Sequence, residues 1–140
     1  MERLPFGGTF DAQAAQAAER QRLPRHALAV ETPWGVMALV QRGDHLAEIR
    51  MSGEMREGET LRETPLLREA ADQLTAYFAG ERTAFDLPLA PLGTPFQVAV
   101  WRALVSTVPF GRTVAYGELA KRAECPAGAR AVGMAMNRNP

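Results

Sequence analysis

The chain is short of most residues that build covalent or metal-based function. Its 140 residues hold one cysteine, Cys125, and two histidines, His26 and His45. One cysteine makes no internal disulfide framework and no cysteine-rich zinc centre. No metal and no cofactor is therefore expected, and the reducing cytoplasm is the expected compartment. Lysine is almost missing too: Lys121 is the only one among 16 basic residues. Arginine suits bidentate recognition of phosphate, although a genomic base-composition bias would give the same preference. Long apolar runs are lacking. The uncharged stretch from Ala90 to Trp101 is broken by Pro91, Gly93, Thr94, Pro95 and Gln97, so it is no membrane span. No basic segment leads into an apolar run near Met1, and no signal peptide is expected. Repeats and low-complexity tracts are missing as well. The length fits one ordinary domain or two small ones.

What is present is unevenly distributed. Formal charge sums to zero, but residues 1–90 carry 10 Arg against 14 acids. Residues 91–140 carry Arg102, Arg112, Lys121, Arg122, Arg130 and Arg138 against Glu118 and Glu124. A basic end on an acidic support is one pattern of a nucleic-acid-binding half. A solvated surface gives the same imbalance.

The pattern along the chain reads as α+β. Residues 1–26 look like an arm in which Asp11 caps an Ala-rich helix over Ala12–Arg22, with little to bury. Residues 27–51 read as a meander: Ala27–Glu31, Val36–Gln41 and His45–Met51, separated by turn clusters at Thr32–Gly35 and Arg42–Asp44. Ser52–Thr64 reads as a charged loop. Pro65 opens an amphipathic helix with Leu66, Leu67, Ala70, Leu74, Tyr77 and Phe78 on one side, and Gly80 ends it. This helix is the natural cover for the sheet. Phe85–Pro91 is extended, and the expected domain boundary lies near Pro91, giving domains over 27–90 and 91–140. Thr94 then caps a helix from Pro95 with Phe96, Val100, Trp101, Leu104 and Val105 as its stripe. Arg112–Ala115 is a short extended piece. Tyr116–Arg122 and Ala127–Asn137 are short helices around a turn at Glu124–Pro126, which suggests a helix-turn-helix.

The last helix is unusual in composition. Ala129, Ala131 and Gly133 surround one long cation, Arg130. A minor groove is only about 6 Å wide, so a helix lying in it needs small side chains. A single arginine projecting from such a helix suits a wedge or a base replacement. Close packing against a neighbour, with Arg130 in water, is the plainer alternative. Trp34 and Trp101 read as core anchors. His26 reads as an exposed linker residue and His45 as a surface strand residue.

The stretch Thr94-Pro95-Phe96-Gln97, Val100–Leu104, Val108–Ala120, Ala129–Gly133 and Asn139-Pro140 resembles the DNA-binding domain of the O6-alkylguanine-DNA alkyltransferases, the methylated-DNA–protein-cysteine methyltransferases. Residues 27–90 resemble the layout of that family's ribonuclease-H-like domain. The resemblance implies a small antiparallel sheet with a covering helix, followed by a winged helix-turn-helix-type domain. It implies that Arg130 is the finger filling the gap left by a flipped nucleotide. It implies that Tyr116 helps to rotate that nucleotide, that Ala129, Ala131 and Gly133 approach the minor groove, and that Asn139 is a hinge to the active-site strand. Thr94 falls where family members contact phosphates. The implied partner is double-stranded DNA carrying O6-alkylguanine, bound by a monomer away from any membrane. The implied chemistry is stoichiometric: a cysteine thiolate takes the alkyl group and guanine leaves.

The family's Pro-Cys-His-Arg motif follows the Asn-Pro pair, and these residues stop at Pro140. No catalytic residue is therefore expected among them, and Cys125, in a turn without a neighbouring histidine in sequence, is expected to be a plain thiol. Alkyl transfer by these 140 residues alone is not expected. The alternatives are a non-catalytic alkyltransferase-like sensor of alkylated DNA and a general DNA-binding module.

Overall fold

The computed structural model describes the backbone of residues 1–140 and the side chains of all but residues 17–21. Its centre is the meander expected from the turns. Strands β3 (Arg25–Thr32), β4 (Gly35–Arg42) and β5 (His45–Arg50) pair antiparallel. The first turn is held by the Thr32 hydroxyl, which donates to the Gly35 carbonyl at 2.6 Å and accepts from the Trp34 amide at 3.1 Å. Gly35 and Gly43 take positive φ of 102° and 57° in the two turns, where a side chain would be strained. Met37, Ala38, Leu39 and Val40 are all buried, so β4 is covered on both faces.

Parallel strands extend this meander, so the sheet is mixed where an antiparallel one was expected. Short strands β1 (Glu2–Arg3), β2 (Thr9–Phe10), β6 (Glu59–Leu61) and β7 (Pro88–Leu89) complete the order β1-β2-β7-β5-β4-β3-β6. β6 runs parallel to β3, and β7 runs parallel to β2 and β5. β6 falls inside the segment expected to be a loop, and β7 inside the extended crossing segment.

One face of the sheet is covered by helix α2 (Pro65–Phe78). Thr64 caps it by accepting the Leu67 amide at 3.1 Å, and Pro65 fits the first helical position, where no amide is needed. Leu67, Ala70 and Leu74 pack onto Met37, Leu39 and Leu46. Gln73, buried in the same helix, holds the crossing segment by donating to the Asp86 carbonyl at 3.1 Å and accepting the Asp86 amide at 2.8 Å.

The N-terminal segment is anchored more firmly than its Ala-rich helix suggests. β1 and β2 form a hairpin through Gly7 and Gly8, and Gly8 approaches so closely that a Cβ there would lie 2.5 Å from the Leu87 carbonyl oxygen. Asp11 caps helix α1 (Ala12–Gln21) by accepting the Ala14 amide at 2.8 Å. The anchors are Leu4 and Phe10, outside the helix, and Ala15 within it. All three lie in the core formed by the C-terminal helices, with Phe10 only 1% exposed.

That second core holds Val98, Val100 and Trp101 of α3 (Pro95–Thr107), Leu119 and Ala120 of α4 (Tyr116–Arg122), and Val132 and Ala135 of α5 (Ala129–Asn137). Thr94 and Gln97 form a reciprocal capping box at the start of α3. Arg112–Ala115 pairs with no strand among the described residues. Among the described residues, no helix is long and apolar enough to cross a membrane.

Candidate nucleic-acid interface

Helix α5 is fixed from behind. Val132 is fully buried, and the Trp101 indole donates to the Ala135 carbonyl at 3.0 Å within the core. Trp101 is thus the anchor expected of it. It sits so tightly that a Cβ at Gly93 would come 2.5 Å from its ring. Trp34 differs from expectation: it is 72% exposed at the β3–β4 turn, with only an edge contact to Phe78. The turn that needs Gly35 turns its side chain away from the core.

With Val132 and Ala135 inward, the period of a helix turns Arg130, Ala131 and Met134 outward. All three are exposed, and Met134 is 66% exposed. Ala129 is half-buried at the helix start. Gly133 has a different surrounding. A Cβ on it would meet the Tyr116 ring at 3.2 and 3.3 Å. The ring of Tyr116, at the start of α4 and 52% exposed, therefore lies against the backbone of α5. Tyr116 and Gly133 are brought together, on the same helix pair that carries Arg130. Thr94 is exposed, and its hydroxyl accepts the Gln97 amide at 3.2 Å in the α3 cap. Asn139 is exposed just beyond α5, and its amide donates to the Met136 carbonyl at 3.2 Å.

The electrostatics separate paired from open cations. Arg102 is ion-paired with Glu2, whose carboxylate hydrogen bond holds the guanidinium more firmly protonated. Arg122 meets Glu118 at 3.5 Å and donates to the Thr107 carbonyl at 3.3 Å. Arg112, Lys121, Arg130 and Arg138 have no carboxylate partner among the described residues. All four are exposed.

Two family models match the chain. The model for the 6-O-methylguanine DNA methyltransferase ribonuclease-like domain matches residues 26–91, and that for the DNA binding domain matches residues 95–140. The chain belongs to this family. A methylated-DNA–protein-cysteine methyltransferase of Mycobacterium tuberculosis is 42% identical over 118 residues, covering 82% of this chain and 71% of the relative. The constitutive enzyme of Bacillus subtilis is 41% identical over 116 residues, covering 78% of this chain and 70% of its own. The crystal structure of M. tuberculosis OGT in complex with DNA matches with a TM-score of 0.73 at 42% identity, covering 82% of this chain and 71% of that one.

Within the methyltransferase family fold, the remaining candidates fall as follows. Cys125 is half-buried in the α4–α5 turn, its amide donating to the Ala120 carbonyl at 2.8 Å. His26 lies within β3, with a buried Nδ1 that has no partner among the described residues, so it is no exposed linker residue. Strand pairing carries it into the sheet. His45 opens β5 and places Nε2 3.5 Å from an Asp11 carboxylate oxygen. Both histidines are on the sheet, away in sequence and in element from the turn that holds Cys125. Sequence reasoning did not single out Met134, which the structure leaves exposed on the outer face of α5. Its signal was available: it stands four residues after Arg130 and three after Ala131, on the face opposite Val132 and Ala135.

Proposed function

We propose that residues 91–140 bind double-stranded DNA containing O6-alkylguanine from the minor groove, and that residues 27–90 form the domain that supports them. The observation that carries this reading is the outer face of α5. Arg130 rises beside Ala131, with the ring of Tyr116 seated on Gly133 of the same helix and Met134 exposed one turn further on. In this reading Arg130 enters the duplex and occupies the gap left by the target nucleotide. Tyr116 guides that nucleotide outward. Ala131, with Ala129 and Gly133 beside it, lets the helix backbone approach the groove. Arg112 and Lys121 supply phosphate contacts that position the protein without reading sequence, and Thr94 adds a further one. Asn139 serves as the hinge after the recognition helix.

The family chemistry that follows extrusion is transfer of the alkyl group to a cysteine thiolate, with guanine as leaving group. Such a thiolate needs a neighbouring group that lowers its pKa. Cys125, the one cysteine here, sits in a turn remote in element from both histidines. We therefore assign recognition and extrusion to these 140 residues and no transfer of their own.

The test uses a duplex carrying O6-methylguanine with a fluorescent base analogue as the reporter of unstacking. Arg130→Ala is expected to reduce extrusion more than non-specific duplex binding. Equal losses in both assays would remove the finger role. Intact mass after incubation with the same duplex is expected to stay unchanged. A gain of about 14 Da would make Cys125 an acceptor and overturn the division of labour.

A further inference from the structure

Met134 is a large apolar side chain on the outer face of α5, 66% exposed. The other methionine of the helix, Met136, packs against the C-terminal core. A single exposed apolar residue carries no message by itself. Its direction relative to Arg130 does. At 3.6 residues per turn, each residue advances about 100° around a helix axis. Met134 therefore projects within about 40° of Arg130, while Ala131 stands about 100° away and Gly133 about 60° on the other side. Among residues 131–134, Met134 points most nearly along the arginine. The two lie about 6 Å apart along α5, at 1.5 Å of rise per residue. A surface that takes in Arg130 must meet Met134 one turn later.

The charge around this face selects the kind of surface. The sequence of α5 holds no acidic residue. Lys121 of α4 and Arg138, just past α5, are exposed and have no carboxylate partner among the described residues. A polyanion fits that frame, and within a duplex the apolar part of the face can meet only the bases and sugars. Methionine is unbranched and has a soft thioether, so it can enter a groove about 6 Å wide edge-on. It is also one of the side chains that part base steps from the minor groove.

We infer that Met134 is a second minor-groove element, an apolar wedge at the base step about two pairs from the gap that Arg130 fills, since successive pairs rise about 3.4 Å. This rests on the reading of α5 as the helix that enters the minor groove. Parting a step costs least where stacking is soft, at the pyrimidine–purine steps TA and CA/TG. Met134 thus gives the protein a preference for the sequence around the lesion, which an arginine filling a gap does not supply.

The test measures the affinity of the 140-residue chain for three duplexes carrying O6-methylguanine. One has a TA step two pairs to the 5′ side of the lesion, one has it two pairs to the 3′ side, and one has neither. One of the first two is expected to bind about threefold tighter than the third, or better. Met134→Gln keeps the length and removes the apolar character. It and Met134→Ala should lower affinity for the preferred duplex by about tenfold and abolish the preference. Met134→Leu should retain most of both. Tm should stay unchanged in all three, because the site is exposed and each substitute is a good helix former. A thioether carries no charge, so the loss should be equal at low and high salt. Lys121→Ala should instead reduce the slope of log affinity against log salt by about one. Affinity and preference unchanged in Met134→Gln overturn the wedge; a loss of extrusion in Arg130→Ala alongside shows that the reading of α5 stands without it. If Arg130→Ala loses nothing either, that reading falls and the wedge with it. A chain that is dimeric without DNA, and monomeric as Met134→Gln, would give the side chain to a second copy and also overturn the wedge.

Discussion

Replacing Gly133 by alanine separates the stability of α5 from its proposed function. Glycine inside a helix costs about 1 kcal/mol relative to alanine, and Gly133 lies in the middle of α5. The new Cβ would stand 3.2 and 3.3 Å from two carbons of the Tyr116 ring. Carbon atoms prefer about 3.5–4.0 Å, so the ring must retreat by a few tenths of an ångström. In a closed core such overpacking costs about 1–3 kcal/mol. Here Tyr116 is 52% exposed, and the ring can move toward solvent. Stability measured by urea unfolding should therefore stay level or rise by up to about 1 kcal/mol. Base extrusion should fall, by up to about tenfold, because the displaced ring no longer meets the backbone of the rotating nucleotide at its proper place. A loss of stability above about 1 kcal/mol would show that the ring is locked in place. Unchanged extrusion would show that the seat on Gly133 has no part in rotating the nucleotide.

Two further outcomes test the support. Phe10→Ala removes a ring that is almost fully buried in the C-terminal core and should destabilise the chain by about 3–5 kcal/mol in denaturant unfolding. A cost below about 1 kcal/mol would mean that the N-terminal hairpin is docked without contributing to that core. The Glu59 carboxyl is held below the ordinary carboxylate range, chiefly by its hydrogen bond from Arg50. A depressed native pKa stabilises above the unfolded value, and that stabilisation is lost as pH falls through the native one. Thermal stability should thus decline from about pH 4 downward, and Glu59→Gln should flatten that decline; an unaltered pH profile in the variant would exclude the Arg50–Glu59 pair as its source.

The parts of the fold legible in the sequence were those with local chemistry. Thr32 and Gly35 mark one turn, Gly43 the next, and Thr64-Pro65 the start of α2; each acts within four residues of itself. The cap at Thr94 and the stripe through Val100 and Trp101 identified α3 in the same way; the reciprocal part of Gln97 came from the structure. The strands β1, β2, β6 and β7 have two or three residues each. No period can be read from so short a run, and their pairing depends on segments far away in sequence. The firmness of the N-terminal docking was hidden for a related reason. Attention to the Ala-rich helix passed over Leu4 and Phe10, which lie before it and supply its anchorage. Of the candidate site, Arg130 and Tyr116 were visible as residue types and by family resemblance. The seating of Tyr116 on Gly133 was not, because it joins two helices across a turn.

The connection between the two halves explains how α5, proposed above to enter the minor groove, depends on the sheet. A helix of nine residues has little intrinsic stability in water. α5 offers few groups of its own for anchorage: of its nine residues only Val132 and Ala135 are buried. Its orientation must therefore come from behind and from its ends. Val132 and Ala135 supply the first through burial, and the Trp101 indole fixes the helix backbone at Ala135. Beyond the helix, the Ile49 amide of β5 donates to the Pro140 carbonyl at 2.8 Å. Three residues after the end of α5, the sheet holds the backbone directly. Asn139 stands between these two fixed points, with Ala135 held by a tryptophan and Pro140 held by a strand. A change in the angle of α5 would have to be absorbed over Met136–Asn139, which gives the hinge assigned to Asn139 a physical basis in the way its neighbours are tied.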